Sequence, residues 1–200
     1  MASSAAATAS PAVPVIRTDN AGITQLMLND PDKYNTLSRE VIDDMLTHLD
    51  NIAADESVRV VVIAARGKAF CSGHNLKQMH ANHDRAYYEA LLTDCSRMMQ
   101  SIVALPQPVI ARVQGIATAA GCQLVASCDL AIAAASAAFA TNGINNGLFC
   151  RYRRARGQAR RPVAVCAASR QGLVQSPVAR TARPRVSRRV ERPGLQSPRR

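Results

Sequence analysis

"GIATAAGCQLVASCDLAIAA", residues 115–134, is the stretch on which the fold turns. Gly115 reads as a turn leading into a short apolar helix around 119–127, and "LAIAA" follows as a strand. Gln123 sits at the centre as a polar residue among apolar ones. Upstream, "VIARV" (109–113) is another strand. The helix before it is capped by Asp84, carries Tyr88, Leu91, Cys95, Met98 and Ile102 on one face, and ends at Pro106 and Pro108. Before that comes a loop, "RGKAFCSGHNLKQM" (66–79), and then "VRVVVIAA" (58–65), a β-branched run short enough for a buried parallel strand. Residues 38–54 read as an amphipathic helix, with Ser38 as N-cap, Glu40 in the first turn, and Val41, Met45, Leu49 and Ile52 at helical spacing. Two β-type runs flank "DNAG" (19–22) as a hairpin. Strands alternating with helices at this spacing predict an α/β parallel arrangement.

The net charge of +11 suggests a nucleic-acid partner until the charge is located. Residues 1–150 carry ten Lys and Arg against thirteen Asp and Glu, whereas residues 151–200 carry fifteen Arg against the single Glu191. The basic excess therefore belongs to the last quarter of the chain. Six cysteines show no CxxC pair and read as reduced, mostly buried thiols. His80 and His83 lack a second ligand pair, so no metal site is expected. The apolar run 113–140 is broken by Gln114, Gln123 and Asp129 and makes a poor membrane span. Residues 1–12 are Ala/Ser-rich with no charged side chain, and read as a disordered or weak targeting segment. No dinucleotide fingerprint, phosphate loop or nucleophile elbow is present.

Two segments go beyond fold class. "GKAFCSGHNLKQM" (67–79) and "VQGIATAAGCQLVASCDLAIAA" (113–134) together resemble the paired signature of the crotonase superfamily, the enoyl-CoA hydratase/isomerase family. "AGITQLMLNDPDKYNTLSREVIDDM" (21–45) resembles its opening hairpin and first helix, and "AAFATNGINNGLF" (137–149) the loop after its next strand. The resemblance implies a ClpP-like α/β spiral of ββα units over residues 13–150. It implies an acyl-CoA thioester as substrate or ligand, with no other cofactor. The developing enolate oxygen would be held by two backbone donors, the N–H groups of His74 and Ala120. Gly73 and Gly121 would allow close approach to the ligand. Ala69, Cys71, Asn75, Leu76 and Lys77 would line the CoA side, with Lys77 facing a phosphate. The family's hydratases add two glutamates, and the matching positions here hold Gln123 and Gly143. A Gln amide can orient water but cannot accept its proton, and Gly offers nothing. The resemblance is nearest to a mitochondrial branch, which implies that compartment, with the cytoplasm as alternative. It also implies a homotrimer or hexamer built through C-terminal helices.

After residue 150 the chain departs from that pattern. Residues 151–200 are Arg- and Pro-rich, without sustained periodicity, and are expected to be disordered, an alternate reading frame of GC-rich coding sequence. On this view the fold stops before its trimerisation helices and leaves strand edges and apolar surface uncovered. Three functions are weighed: a fatty-acid-metabolism enzyme relative that stabilises an enolate without true hydratase activity; a non-catalytic acyl-CoA-binding or regulatory protein; and nucleic-acid binding through the Arg-rich tail. The tail has only Tyr152 for base stacking, which makes nucleic acid the weakest. Sequencing the transcript across codon 150 is expected to reveal a family-like continuation in another frame; a transcript with none overturns that account of the tail.

Overall fold

The chain opens with a hairpin because Ala21 and Gly22 both take positive φ (48° and 80°), the two-residue turn whose twist matches paired strands. In the computed structural model, which describes residues 13–142 and the backbone of 164–169 and 172–174, β1 (Val15–Asn20) and β2 (Ile23–Leu28) pair antiparallel, with Asn20 opposite Ile23. A 3-10 turn at Pro31–Lys33 leads to α1 (Arg39–Ala53), where the Ser38 hydroxyl accepts the Val41 N–H at 3.4 Å. One face of α1 buries Val41, Ile42, Met45, Leu46, Leu49 and Ile52.

From β3 (Val60–Ala65) onward the chain repeats one plan. It lays a strand in the main sheet, then a three-residue strand in a second sheet, and in the first two units a helical segment after that. β3 is followed by β4 (Ala69–Cys71) and the helices α2 (Leu76–Ala81) and α3 (Arg85–Ala104). β5 (Val109–Val113) is followed by β6 (Ile116–Thr118) and α4 (Ala120–Ser127). β7 (Leu130–Ala134) is followed by β8 (Ala138–Ala140). The main sheet runs β1-β2-β3-β5-β7-β9-β10 and the second β4-β6-β8, all parallel in the latter. This is the α/β spiral of ββα units that the resemblance implies. Leu26, Ile63, Ala111 and Ala131 lie along the main sheet's buried face, and Leu91, Met98, Met99 and Ile102 of α3 join the same core. Across the α1–α3 seam, the Arg39 guanidinium meets the Asp94 carboxylate at 2.7 Å. No helix among the described residues is long and apolar enough to cross a membrane.

The structure departs from the sequence reading at its shortest elements. The loop expected over 66–79 contains β4 and α2, and the turn at Gly115 contains β6. Three-residue strands show no periodicity and exist only because partners lie beside them: Ala69 opposite Ile116, and Ile116 opposite Ala138. The segment expected to lack structure, 151–200, includes β9 (Ala164–Ser169), parallel to β7 with Ala131 opposite Val165, and β10 (Gly172–Val174), antiparallel to β9. "AVCAAS" is the uncharged, small-residue part of that segment, which suits a ladder whose bonds are main-chain. Residues 1–12, Gly143, Cys150 and the rest of the tail lie outside the described residues.

Asn35 secures the corner from which α1 departs. It is 1% exposed and left-handed (φ 51°), a conformation that Asn tolerates better than branched residues. Its Oδ1 accepts the Asp30 N–H at 3.0 Å, and its Nδ2 donates to the carbonyls of Arg66 and Ala69, both at 2.8 Å. Asn35→Ala strands those groups in the interior and adds backbone strain. A denaturant melt should show a loss on the order of 3 kcal/mol; a change under about 0.5 kcal/mol would contradict the assigned role.

Candidate functional site

Two loops distant in sequence meet where β4 ends and α4 begins. The first, Ser72–Asn75, is stitched to the Asn35 corner: the Ser72 N–H donates to the Tyr34 carbonyl at 3.1 Å, the Leu37 N–H to Gly73 at 2.8 Å, and the Asn75 N–H back to Leu37 at 3.3 Å. On the other side the Thr118 hydroxyl donates to the Ser72 carbonyl at 3.1 Å. Gly73 has φ +92°, and a Cβ there would stand 3.0 Å from the Ala119 Cβ and 3.3 Å from the Ala120 nitrogen. Only glycine combines that backbone with that contact. Gly121 is tighter: a Cβ there would lie 2.2 Å from the Cys71 carbonyl oxygen. The start of α4 therefore rests directly on the end of β4.

The second loop is strained. Ala119, the N-cap of α4, has φ 50° and ψ −120°, which a side chain disfavours. It is held there because its N–H donates to the Ala140 carbonyl at 2.8 Å and its carbonyl accepts the Gln123 N–H at 3.1 Å. Ala120 follows with its N–H at the first helical position, which has no intrahelical partner. His74 presents a matching case. Its parallel bridge to Leu37 uses the carbonyl of Gly73 and the N–H of Asn75, so its own N–H is left out. Neither the His74 N–H nor the Ala120 N–H has an acceptor among the described residues. The structure thus brings His74, Ala120, Gly73, Gly121 and Cys71 together.

The remaining candidates divide. Ala69 is buried and its carbonyl is committed inward, to the amides of Asn35 and Gln114. Burial pushes the Cys71 thiol up to about 12, so it stays neutral, and burial also raises Cys122. Asn75 caps α2, its Oδ1 accepting the Gln78 N–H at 3.1 Å. Leu76 and Lys77 are exposed on the first turn of α2. Gln123 is half-buried, one turn beyond Ala120, and its Oε1 is buried without a partner among the described residues. The second glutamate position, Gly143, lies outside the described residues. His80 and His83 stack edge-to-face, 6.4 Å between centroids, with His83 against Tyr88.

The sequence reading missed Ala119, since nothing in "TAAG" announces a left-handed alanine. It missed Gln78 as well, although Asn75 and Gln78 stand at capping-box spacing, a usable signal for α2.

A spiral of ββα units with this junction between β4 and α4 defines the crotonase class. The chain belongs to the enoyl-CoA hydratase/isomerase family, whose pattern matches residues 18–166, and lies near the branch named enoyl-CoA hydratase domain-containing protein 3. It is 46% identical over 129 residues to the mitochondrial protein of that name from Xenopus laevis, covering 64% of this chain and 44% of the relative. The crystal structure of the human protein of that name matches with TM-score 0.66 and 42% identity, over 70% of this chain and 55% of that one. An enoyl-CoA hydratase structure from Mycobacterium smegmatis matches with TM-score 0.66 and 53% identity, over 68% and 54%. The match thus spans less than half of the Xenopus relative and just over half of the two solved chains.

The His74 imidazole, 7% exposed, has its Nε2 buried without a partner among the described residues, and burial holds its pKa below the usual 6.5. The unfolded chain binds a proton near 6.5 that the folded imidazole refuses. Stability is therefore unaffected by this group above that pH and declines as pH falls below it. Thermal melts from pH 7.5 to 5.5 should show the decline, and His74→Ala should flatten it; an unchanged slope in the variant would exclude His74 as its source.

Proposed function

We propose that this chain binds acyl-CoA thioesters and stabilises the enolate form through the N–H groups of His74 and Ala120, without true hydratase activity. The observation that carries this reading is the pair of unacceptored main-chain donors on touching loops. A thioester carbonyl gains negative charge on oxygen when its α-proton leaves, and two fixed N–H dipoles lower the energy of that oxyanion. The donors are main-chain atoms, so His and Ala serve at these positions. Gly73 and Gly121 keep side chains out of the approach, and Lys77 at the exposed start of α2 is free to meet a CoA phosphate.

The acid–base half is where this chain parts from a hydratase. Gln123 stands where the family's hydratases carry a glutamate. Its amide can hydrogen-bond water or a substrate oxygen and cannot take up a proton. At the second glutamate position, Gly143 has no side chain. Losing a positioned general acid or base costs about 10²–10⁴ in rate, and paired groups do not multiply independently. The buried Cys71 thiol and the half-buried Cys122 thiol, both with pKa raised by burial, make poor replacements. The mitochondrial names of the relatives support the mitochondrion as compartment. The boundary near residue 150 between the partial family domain and the Arg-rich tail belongs to the same proposal, and with it the expectation that this chain does not form the family's trimers or hexamers.

Purified chain should bind butyryl-CoA more tightly than the thioether of the same length, which lacks the carbonyl, while leaving crotonyl-CoA unhydrated. Gln123→Glu alone should restore little hydration, because the second carboxylate is still missing. Hydration by the unaltered chain would show that another base exists, and equal binding of thioester and thioether would remove the oxyanion site.

A further inference from the structure

We infer that Gln78 is a positioning residue, which fixes the His74 N–H by tying α2 to the start of α1; this rests on the proposed oxyanion site. The backbone around His74 is anchored on its N-terminal side by the Leu37–Gly73 bond and immediately after by the Asn75–Leu37 bond. Beyond Asn75 the chain enters a helix of only six residues, too short to hold its own direction by cooperativity. Gln78 supplies the missing anchor. Its Oε1 accepts the Arg39 N–H at 2.8 Å, one of the donors that the first turn of α1 cannot satisfy internally. Its Nε2 donates to both Glu40 carboxylate oxygens, at 2.9 and 3.1 Å.

The direction of that side chain is the informative part. At the third position of a capping box, Gln78 would return to the N–H of Asn75. In this chain the Asn75 N–H is already given to Leu37, and the Gln78 amide crosses to α1 instead. Residues 37–40 and 73–78 thereby become one unit, joined by main-chain bonds at one end and a two-way side-chain tie at the other. His74 lies within the main-chain end, flanked by the Gly73 and Asn75 bonds with its own N–H used by neither, and the Gln78 tie fixes the helix that continues from it. The acceptor and donor ends of the amide are both used, so neither a carboxylate nor an apolar side chain replaces it. Glu40 is suited to its end: the Ser38 hydroxyl first, and Gln78 with it, hold that carboxyl below its ordinary pKa, so it stays an acceptor at neutral pH.

A tie that only stabilised the fold would affect all ligands alike. One that positions the His74 donor affects only ligands with a carbonyl to receive it. The test measures, for the full chain, the Kd of butyryl-CoA and of the matching thioether, with a melting midpoint for each variant. Gln78→Met should reduce the preference for the thioester by about five- to tenfold, the worth of one well-placed hydrogen bond, and leave the thioether within about twofold. Gln78→Glu should do the same by setting a carboxylate against Glu40. Adding Glu40→Gln to Gln78→Glu should restore the preference, because the amide then donates from α1 while the carboxylate on α2 accepts both from it and from the Arg39 N–H. The inference is overturned if the variants keep the thioester preference, if both ligands weaken equally, or if the double variant shows no rescue. An unaltered chain with no preference would instead overturn the oxyanion reading itself, and with it this inference.

Discussion

The closest packing in the site is at Gly121, where a Cβ would stand 2.2 Å from the carbonyl oxygen of Cys71. Because nothing projects from that position, α4 begins against the end of β4 rather than beyond it. Much else follows from this contact. β6 must run beside β4 to deliver the chain there, and Ala119 must bend into a left-handed conformation to turn the helix. Strain of this kind costs about 1–3 kcal/mol and persists only where the surroundings over-determine it. Here the Ala140 carbonyl, the Gln123 N–H and the packed face of Gly73 do so together.

The electrostatic character of the junction is set by dipoles more than by titrating groups. His74 is kept neutral by burial, and the Cys71 thiol is pushed to about 12. Five buried side-chain polar atoms have no partner among the described residues, and two of them, His74 Nε2 and Gln123 Oε1, belong to the first loop and to α4, the elements that meet there. Buried polar groups are rarely left unpaired, and these two lie on the same elements as the unacceptored His74 and Ala120 N–H groups. Arg39, Glu40 and Asp94 are spent on holding α1, α2 and α3 in place, whereas Lys77 on α2 is exposed.

Much of this was legible in the sequence wherever a periodic signal existed. The β-branched run over 58–65, the helical spacing from Val41 to Ile52, the Asp84 cap and the "DNAG" turn all correspond to elements that form. The short strands β4, β6 and β8 left no trace, because three residues hold no period and their existence depends on neighbours far along the chain. For the site, resemblance identified where His74, Ala120 and Gln123 stand, but not how they are held. The alanine at positive φ and the crossing of the Gln78 amide to α1 are products of tertiary context, which local propensity does not encode. The strand at Ala164–Ser169 lies in a segment whose composition argues against order, and its ladder with β7 is made of main-chain groups that composition does not describe.

That the donors of the proposed site are peptide groups has a bearing on how such a chain can change over generations. A mutation cannot delete an N–H except by introducing proline, so the part of the machinery that recognises the carbonyl is shielded from ordinary drift. The part made of side chains has no such protection, and a single codon change can turn a proton-transferring carboxylate into an amide. In a lineage under relaxed selection the two halves would decay at different speeds. If the proposed site holds, a chain that offers its backbone to a thioester while carrying Gln123 and Gly143 is the form such uneven decay would leave.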